Sequence, residues 1–195
     1  FFIGSGRLYG TSGSFLRERA LAGYDSIAFP GEDGDEFFRL DLYDTLDNLG
    51  MYWHVPNIQA FHSIVPSSLM EFYPYVGVKR DVSSKPEVSN YALRPLLSVK
   101  YLAVSQSEPD AENLMPGYTF RFSQFGYDFY ENDNYLPMGF GYTTAVRKSV
   151  LDTAPLSLRT NVMLEAVGLS DEAMERNSFL DEMESIDYAG LNTDG

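Results

Sequence analysis

Asp128 and Glu131 stand three residues apart in a segment of alternating apolar and polar side chains. Two carboxylates roughly 5–10 Å apart can divide acid and base roles in glycoside hydrolysis. The two histidines are His54 and His62, and His62 directly precedes Ser63. A histidine within reach of a serine is the start of a nucleophile–base pair, although a structural or surface histidine is the commoner outcome. Asp41, Asp44 and Asp47 are spaced by threes, and Glu32-Asp33-Gly34-Asp35-Glu36 is dense in carboxylate. Such oxygens suit calcium or magnesium. Neither stretch has the Asp-x-Asp-x-Asp-Gly loop pattern, so solvated acids are the ordinary reading and no metal is expected. Gly4-x-Gly6-x-x-x-Gly10 lacks the preceding strand and the Gly-Lys-Ser/Thr ending of a phosphate loop. Gly10-Thr11-Ser12-Gly13 lacks the Gly-x-Ser-x-Gly of a nucleophile elbow. No catalytic residue and no cofactor are expected from these patterns.

Composition narrows the classes further. The chain has 195 residues and a formal net charge of −14. Nucleic acid demands a basic patch, so it is excluded as a partner. Unassisted docking on anionic lipid is disfavoured for the same reason. There are no cysteines, which removes disulfides, thiolate catalysis and iron–sulfur clusters. No stretch reaches the ~18–20 apolar residues that cross a bilayer; the best, Tyr91 to Val104, holds Arg94, Pro95 and Lys100. Fourteen Phe, 14 Tyr and Trp53 supply flat apolar faces, many with a polar edge. They suit either a β-rich core or a carbohydrate-facing surface. The chain opens on Phe1 without an initiator Met and ends at Gly195 without a closing element. The expectation is a domain cut from a longer protein.

The elements that must position these residues follow from periodicity and punctuation. Residues 1–35 read as a flexible segment rich in Gly, Ser and acid, with a short helix at Ser14 to Leu21 capped by Ser14. Phe38 to Tyr43 alternates and predicts a strand. Residues 50–65 predict short strands around an irregular turn at Pro56-Asn57. Pro66-Ser67-Ser68 starts a helix that Pro74 distorts and Gly77 ends. A short helix within Asn90–Leu97 is limited by Pro95. Val99 to Val104 is a strand. Phe120–Phe125 and Tyr127–Asn132 are strands joined at Gly126, and Met138–Thr144 is a further strand. The remainder predicts helices, one from Leu158 to Val167 ending at Gly168 and one capped by Ser170 ahead of Asp171-Glu172. The fold class is α+β: a single domain over 36–195, with a largely antiparallel sheet and a few short flanking helices.

Three segments resemble the YfhO family of bacterial multi-spanning membrane proteins. They are Glu36-Phe37-Phe38-Arg39-Leu40-Asp41, Leu96-Leu97-Ser98-Val99-Lys100-Tyr101-Leu102, and Phe129-Tyr130-Glu131-Asn132 with Tyr135-Leu136-Pro137-Met138-Gly139-Phe140. Gln59-Ala60-Phe61-His62-Ser63 and the Phe72 to Gly77 segment lie between the first two, where the family has an aromatic-Ser stretch and a short helix. The resemblance spans residues 36–168 and rests on the order and spacing of the set.

The resemblance implies a soluble domain on the extracytoplasmic face of the bacterial cell membrane, partnered by the membrane-embedded part of the same polypeptide. YfhO-like proteins resemble GT-C glycosyltransferases, which take sugars from polyprenyl-phosphate carriers, and the family is linked to decorating envelope polymers such as lipoteichoic acid. The family's catalytic acid is expected on a membrane-part loop outside this chain, so none is carried over. The expected role is accessory: shaping or gating the acceptor side, with a glycan or envelope polymer as possible ligand. A carbohydrate-binding or scaffold module with no enzymatic parent is the alternative. Tyr52, Trp53, His54, His62, Tyr130, Glu131 and Asn132 are the candidate contacts, because a sugar is held by stacking on an aromatic face beside an amide or carboxylate. Lys79, Arg80, Lys85, Arg94 and Lys100 form a cationic stretch that would offset repulsion from a polyanionic acceptor; ordinary surface salt bridges are the bland reading.

Overall fold

Tyr101 to Val104 carries apolar side chains at successive positions, a pattern expected of a strand covered on both faces. The computed structural model describes residues 24, 27–32, 34, 36–43, 48–61, 64–79, 83–107 and 116–191. In chain order its elements are β1 (Arg39–Tyr43), α1 (Leu49–Tyr52), β2 (Ala60–Phe61), α2 (Ser67–Tyr75), β3 (Ser83–Ser84), α3 (Leu93–Leu96), β4 (Val99–Ser105), β5 (Tyr118–Gln124), β6 (Tyr127–Asn132), β7 (Thr144–Arg147), α4 (Lys148–Leu151), α5 (Arg159–Glu165), β8 (Val167–Leu169), α6 (Asp171–Arg176) and β9 (Asp181–Met183). The α+β class with short flanking helices is borne out.

All seven residues of β4 are buried, and the strand lies inside a four-stranded sheet of order β1-β4-β6-β5. β4 pairs antiparallel with β6, β6 antiparallel with β5, and β1 parallel with β4. Phe125 and Gly126 join β5 to β6 with φ of 50° and 77°. Positive φ at both central residues matches the right-handed twist of the flanking strands, and Gly126 adopts it without a Cβ penalty. A second sheet, β8-β7-β9, is parallel throughout, and β2 pairs with β3 in a small antiparallel ribbon.

Side chains alternate across the main sheet and build two cores. On one face Leu40, Leu42, Tyr101, Ala103, Tyr127 and Phe129 pack against Leu49 and Trp53. On the other, Leu102, Val104 and Tyr130 pack against Tyr43, Val88, Tyr91 and Tyr118. Further clusters centre on Tyr73, Val76 and Leu93, and on Val146, Leu151 and Val162. Tyr75 and Met163 pack against both of these and join them.

The elements differ from expectation in identifiable places. The strand expected at Met138–Thr144 forms instead at Thr144–Arg147. Gly139 sits at φ 91°, so the chain turns there, and Phe140 and Tyr142 meet edge to face at 5.2 Å. Residues 49–53 form a helical turn and not a strand: Asn48 enters at φ 62°, and Trp53 N–H closes on Leu49 O at 3.2 Å. The C-terminal region is only partly helical, since β7, β8 and β9 lie within it. Gly168 does not end a helix; it lies in β8, where a Cβ would meet Leu151 Cδ2 at 2.8 Å. The helix expected at Ser14 to Leu21 lies outside the described residues. The Ser170 cap forms as read, its Oγ accepting from Ala173 N–H at 3.2 Å.

Candidate functional site

The β5–β6 ladder ends with Tyr118 opposite Asn132, and a pocket opens at that end of the sheet. Its volume is 330 Å³, within the ~300–1,000 Å³ of small-ligand sites. Tyr91, Tyr118 and Tyr135 supply aromatic wall, Asn132, Asn134 and Asn161 supply amides, and Pro95 and Leu164 fill between them. None of the lining residues is Asp, Glu, Lys, Arg or His.

Each wall is pinned by a specific contact. Asn132 is buried; its Nδ2 donates to Val99 O at 3.0 Å and its Oδ1 accepts from Asn134 N–H at 3.0 Å. The first bond fixes the strand end, and the second sets the turn that presents Asn134 and Tyr135. Asn90, next to Tyr91, donates to Val76 O at 3.1 Å and accepts from the buried Thr160 hydroxyl of α5 at 2.7 Å. That link holds Tyr91 opposite Asn161. Tyr135 donates its hydroxyl to Phe37 O at 3.1 Å, and Lys100 Nζ lies 5.3 Å from its ring centre. Burial and the Glu36 charge raise the Tyr135 pKa, so this hydroxyl keeps its proton.

Behind the pocket is a buried ion pair. Arg94 Nε and Nη2 each lie 3.0 Å from Asp41 Oδ2, with both side chains sealed from solvent. Arg94 also donates to the carbonyls of Glu87, Asn90 and Pro86, at 2.6, 2.7 and 3.2 Å, and Gln59 donates to Asp41 Oδ1 at 2.7 Å. Every Arg94 nitrogen is thus engaged, as burial of a guanidinium requires. The Tyr118 hydroxyl is buried with no hydrogen-bond partner among the described residues. Burial raises its pKa, Asp41 adds to the rise and Arg94 opposes it.

A second hollow, 390 Å³, is lined by Phe29, Phe38, Trp53, His54, Glu32 and Glu36. Its carboxylates are engaged: Glu32 accepts from Tyr101 at 2.6 Å and from Lys100 at 2.8 Å, and Glu36 accepts from Lys100 at 2.7 Å. Burial pulls the Lys100 pKa down, but hydrogen bonds from its ammonium to both acids outweigh this and hold it above the ordinary value.

The six described candidate contacts do not converge on one pocket. Trp53 is 2% exposed and packs against Tyr127 and Phe129 at ring distances of 5.1 and 6.0 Å. It is a core side chain with no free face for a sugar. Tyr52 and His54 are exposed beside it, His54 at φ 56°. His62 lies outside the described residues. Tyr130 and Asn132 project to the opposite sheet face from Trp53 and Phe129, and Tyr130 is covered by Phe120 at 5.7 Å. Glu131 is ion-paired with Arg121. Asp128 accepts from Gln106 at 2.8 Å and from Ser123, and three residues along a strand place it on the face opposite Glu131. The two carboxylates therefore cannot act together on one glycosidic bond.

Of the six described candidates, Asn132 alone lines the tyrosine–asparagine pocket. Tyr91, Asn134, Tyr135 and Asn161 were not legible as site residues. The Asn132-x-Asn134-Tyr135 run was the available signal. Two of the five cations of the stretch are spent inside the fold, Arg94 on Asp41 and Lys100 on Glu32 and Glu36; Lys79 and Lys85 are exposed, and Arg80 lies outside the described residues. Asp41 is not a solvated turn acid, and Asp44 and Asp47 lie outside the described residues. Among the described residues no group of three or more acids and histidines is placed to hold a metal.

No helix among the described residues is long and apolar enough to cross a membrane. Comparison with curated proteins and with solved structures finds no match. The family model for bacterial membrane protein YfhO matches residues 21–193, reaching beyond the 36–168 carried by the sequence motifs on both sides. Covering most of the chain, that match places it in the YfhO family of bacterial membrane proteins.

Proposed function

We propose that this domain is the extracytoplasmic accessory domain of a membrane glycosyltransferase that draws on lipid-linked sugars and acts on cell-envelope polymers. In this reading the domain holds a glycan on the acceptor side, and the membrane-embedded part of the same polypeptide supplies the chemistry. The single observation that carries it is the tyrosine–asparagine pocket at the end of the β5–β6 ladder. Its lining offers stacking faces and amides and includes no carboxylate pair of the kind that ordinarily cleaves a glycosidic bond. Such a lining binds and orients. Membership of a membrane-protein family supports the location beside a bilayer.

Asn132 stays as the residue that sets the pocket wall, and Tyr91, Tyr118, Asn134 and Tyr135 form the proposed contact set. Trp53 leaves it for the core. Tyr52 and His54, exposed at the far side of the sheet, remain candidates for a second contact with a long polymer.

The test uses the full-length membrane protein in cells lacking the native copy. Tyr91→Ala combined with Asn134→Ala is expected to lower incorporation of sugar into the envelope polymer at least about tenfold, with protein level unchanged. Unchanged incorporation overturns the proposal. The same binding lining favours one other reading, a carbohydrate-binding module without an enzymatic parent. There the chain binds envelope polysaccharide, and removing the pocket leaves sugar transfer unaffected.

A further inference from the structure

We infer that the tyrosine–asparagine pocket takes an uncharged sugar ring and leaves any phosphate of the polymer in solvent. This deepens the glycan-holding reading above and rests on it. A phosphate site needs guanidinium, ammonium or a cluster of backbone N–H donors. The pocket lining has no cationic side chain, in a chain whose net charge is −14. Two strong cations beside the pocket walls, Arg94 and Lys100, are committed elsewhere. Arg94 is saturated by Asp41 and three carbonyls, and Lys100 is bracketed by Glu32 and Glu36. A phosphate in this pocket would be stripped of water with no charge to meet it.

An uncharged ring meets complementary groups. A sugar presents an apolar C–H face and a rim of hydroxyls, and Tyr with Asn presents the matching surfaces. The polar groups of the lining divide into those already used and those available. Asn132 is spent on Val99 O and Asn134 N–H, the Tyr135 hydroxyl on Phe37 O, and the Tyr118 hydroxyl is sealed from the pocket side. The Tyr91 hydroxyl and the Asn134 side-chain amide make no hydrogen bond among the described residues, and Asn134 is exposed. These two are assigned to the sugar hydroxyls. The ring of Tyr135, held by its bond to Phe37 O, and the ring of Tyr118, packed against the Leu102, Val104 and Tyr130 cluster, are assigned to its apolar face. A polymer alternating neutral and charged units would be gripped by its neutral units, which removes the conflict between an acidic domain and an anionic acceptor.

The test titrates this chain by calorimetry with neutral trisaccharides of glucose, galactose and N-acetylglucosamine, and separately with glycerol phosphate and inorganic phosphate. At least one neutral trisaccharide is expected to bind, with affinity changing less than about twofold between about 50 and 500 mM salt. Tyr91→Phe and Asn134→Ala are each expected to weaken it about threefold to tenfold, the loss of one hydrogen bond. Thermal unfolding of each variant separates lost contact from lost fold. Binding of phosphates in place of neutral sugars, affinity that collapses with salt, or indifference of a folded Tyr91→Phe and Asn134→Ala pair overturns the inference. Full-length sugar transfer reads the accessory role separately. A pocket variant that abolishes transfer while no neutral sugar binds sinks the ligand assignment alone. Neutral sugar binding with transfer untouched sinks the accessory role alone.

Discussion

Arg94 Nε lies 3.0 Å from Asp41 Oδ2 across the interface between α3 and β1, and neither side chain reaches solvent. The pair fixes residues 86–94, the segment that carries Tyr91 into the pocket wall. Leaving one partner of a buried pair uncompensated costs about 3–5 kcal/mol. Arg94→Met is therefore expected to lower unfolding stability by about that amount, read from urea denaturation. Arg94→Met combined with Asp41→Leu is expected to recover much of the loss, because no buried charge then remains. A single variant as stable as the parent would contradict this account.

The Tyr118 hydroxyl is the opposite case, a buried polar group without a partner among the described residues. An unsatisfied buried group costs about 1–3 kcal/mol. Tyr118→Phe is expected to raise stability by about 1 kcal/mol and the melting temperature by about 2–4 °C. The ring, which is the part that faces the pocket, is unchanged. A drop in melting temperature would mean that the hydroxyl has a stabilising contact after all.

What the sequence disclosed follows from how local each signal is. β4 was legible because Tyr101 to Val104 is an unbroken apolar run behind Val99, and the β5–β6 hairpin because Gly126 interrupts two alternating runs. The Ser170 cap is a four-residue signal and formed as read. α1 has only four residues and opens on a left-handed Asn48, too short for a period to show. β7 and β9 hold four and three residues, and long-range partners fix them: Arg147 reaches Glu182 at 2.7 Å and Asp171 at 2.9 Å. The pocket was illegible for the same reason, since its walls come from positions as distant as Tyr91 and Leu164. Asp41 misled for the same reason: an acid between Leu40 and Leu42 in an alternating strand reads as a solvent-facing side chain, and its burial is set by Arg94, 53 residues away.

Gly50 marks a second packing constraint. A Cβ there would lie 2.8 Å from the Val55 carbonyl oxygen and collide with the Asn57 side-chain amide. Val55 N–H also donates to Gly50 O at 3.0 Å, so the two segments are already drawn together. Overpacking of this kind costs about 1–3 kcal/mol. Gly50→Ala is expected to lower the melting temperature by several degrees, about 2–4 °C for each kcal/mol. It is also expected to leave sugar binding unchanged, since α1 lies under the sheet face opposite the pocket. An unaltered melting temperature would show that α1 can move away without cost.

The alkaline limit of the fold follows from its tyrosines. Burial raises Tyr75 from 10.0 to about 12, and the hydrogen bond to Asp152 contributes. Burial also raises Tyr101, Tyr118 and Tyr135, with Glu32, Asp41 and Glu36 respectively adding to each shift. Lys100 is raised above 10.5 as well, because its bonds to Glu32 and Glu36 outweigh burial. In each case the folded state holds its proton more tightly than the unfolded chain does. The associated stability is complete below the unfolded values of 10.0 for tyrosine and 10.5 for lysine. It declines as pH rises through the folded values, because the unfolded chain releases its protons first. The urea midpoint is accordingly expected to stay level from neutrality to about pH 9 and to fall steeply by about pH 11. Tyrosinate absorbance should rise in step with the loss of structure. A midpoint that climbs over this interval, or tyrosines that all titrate near 10.0 while the chain remains folded, would contradict the assignment of these hydroxyls to buried, acid-facing positions.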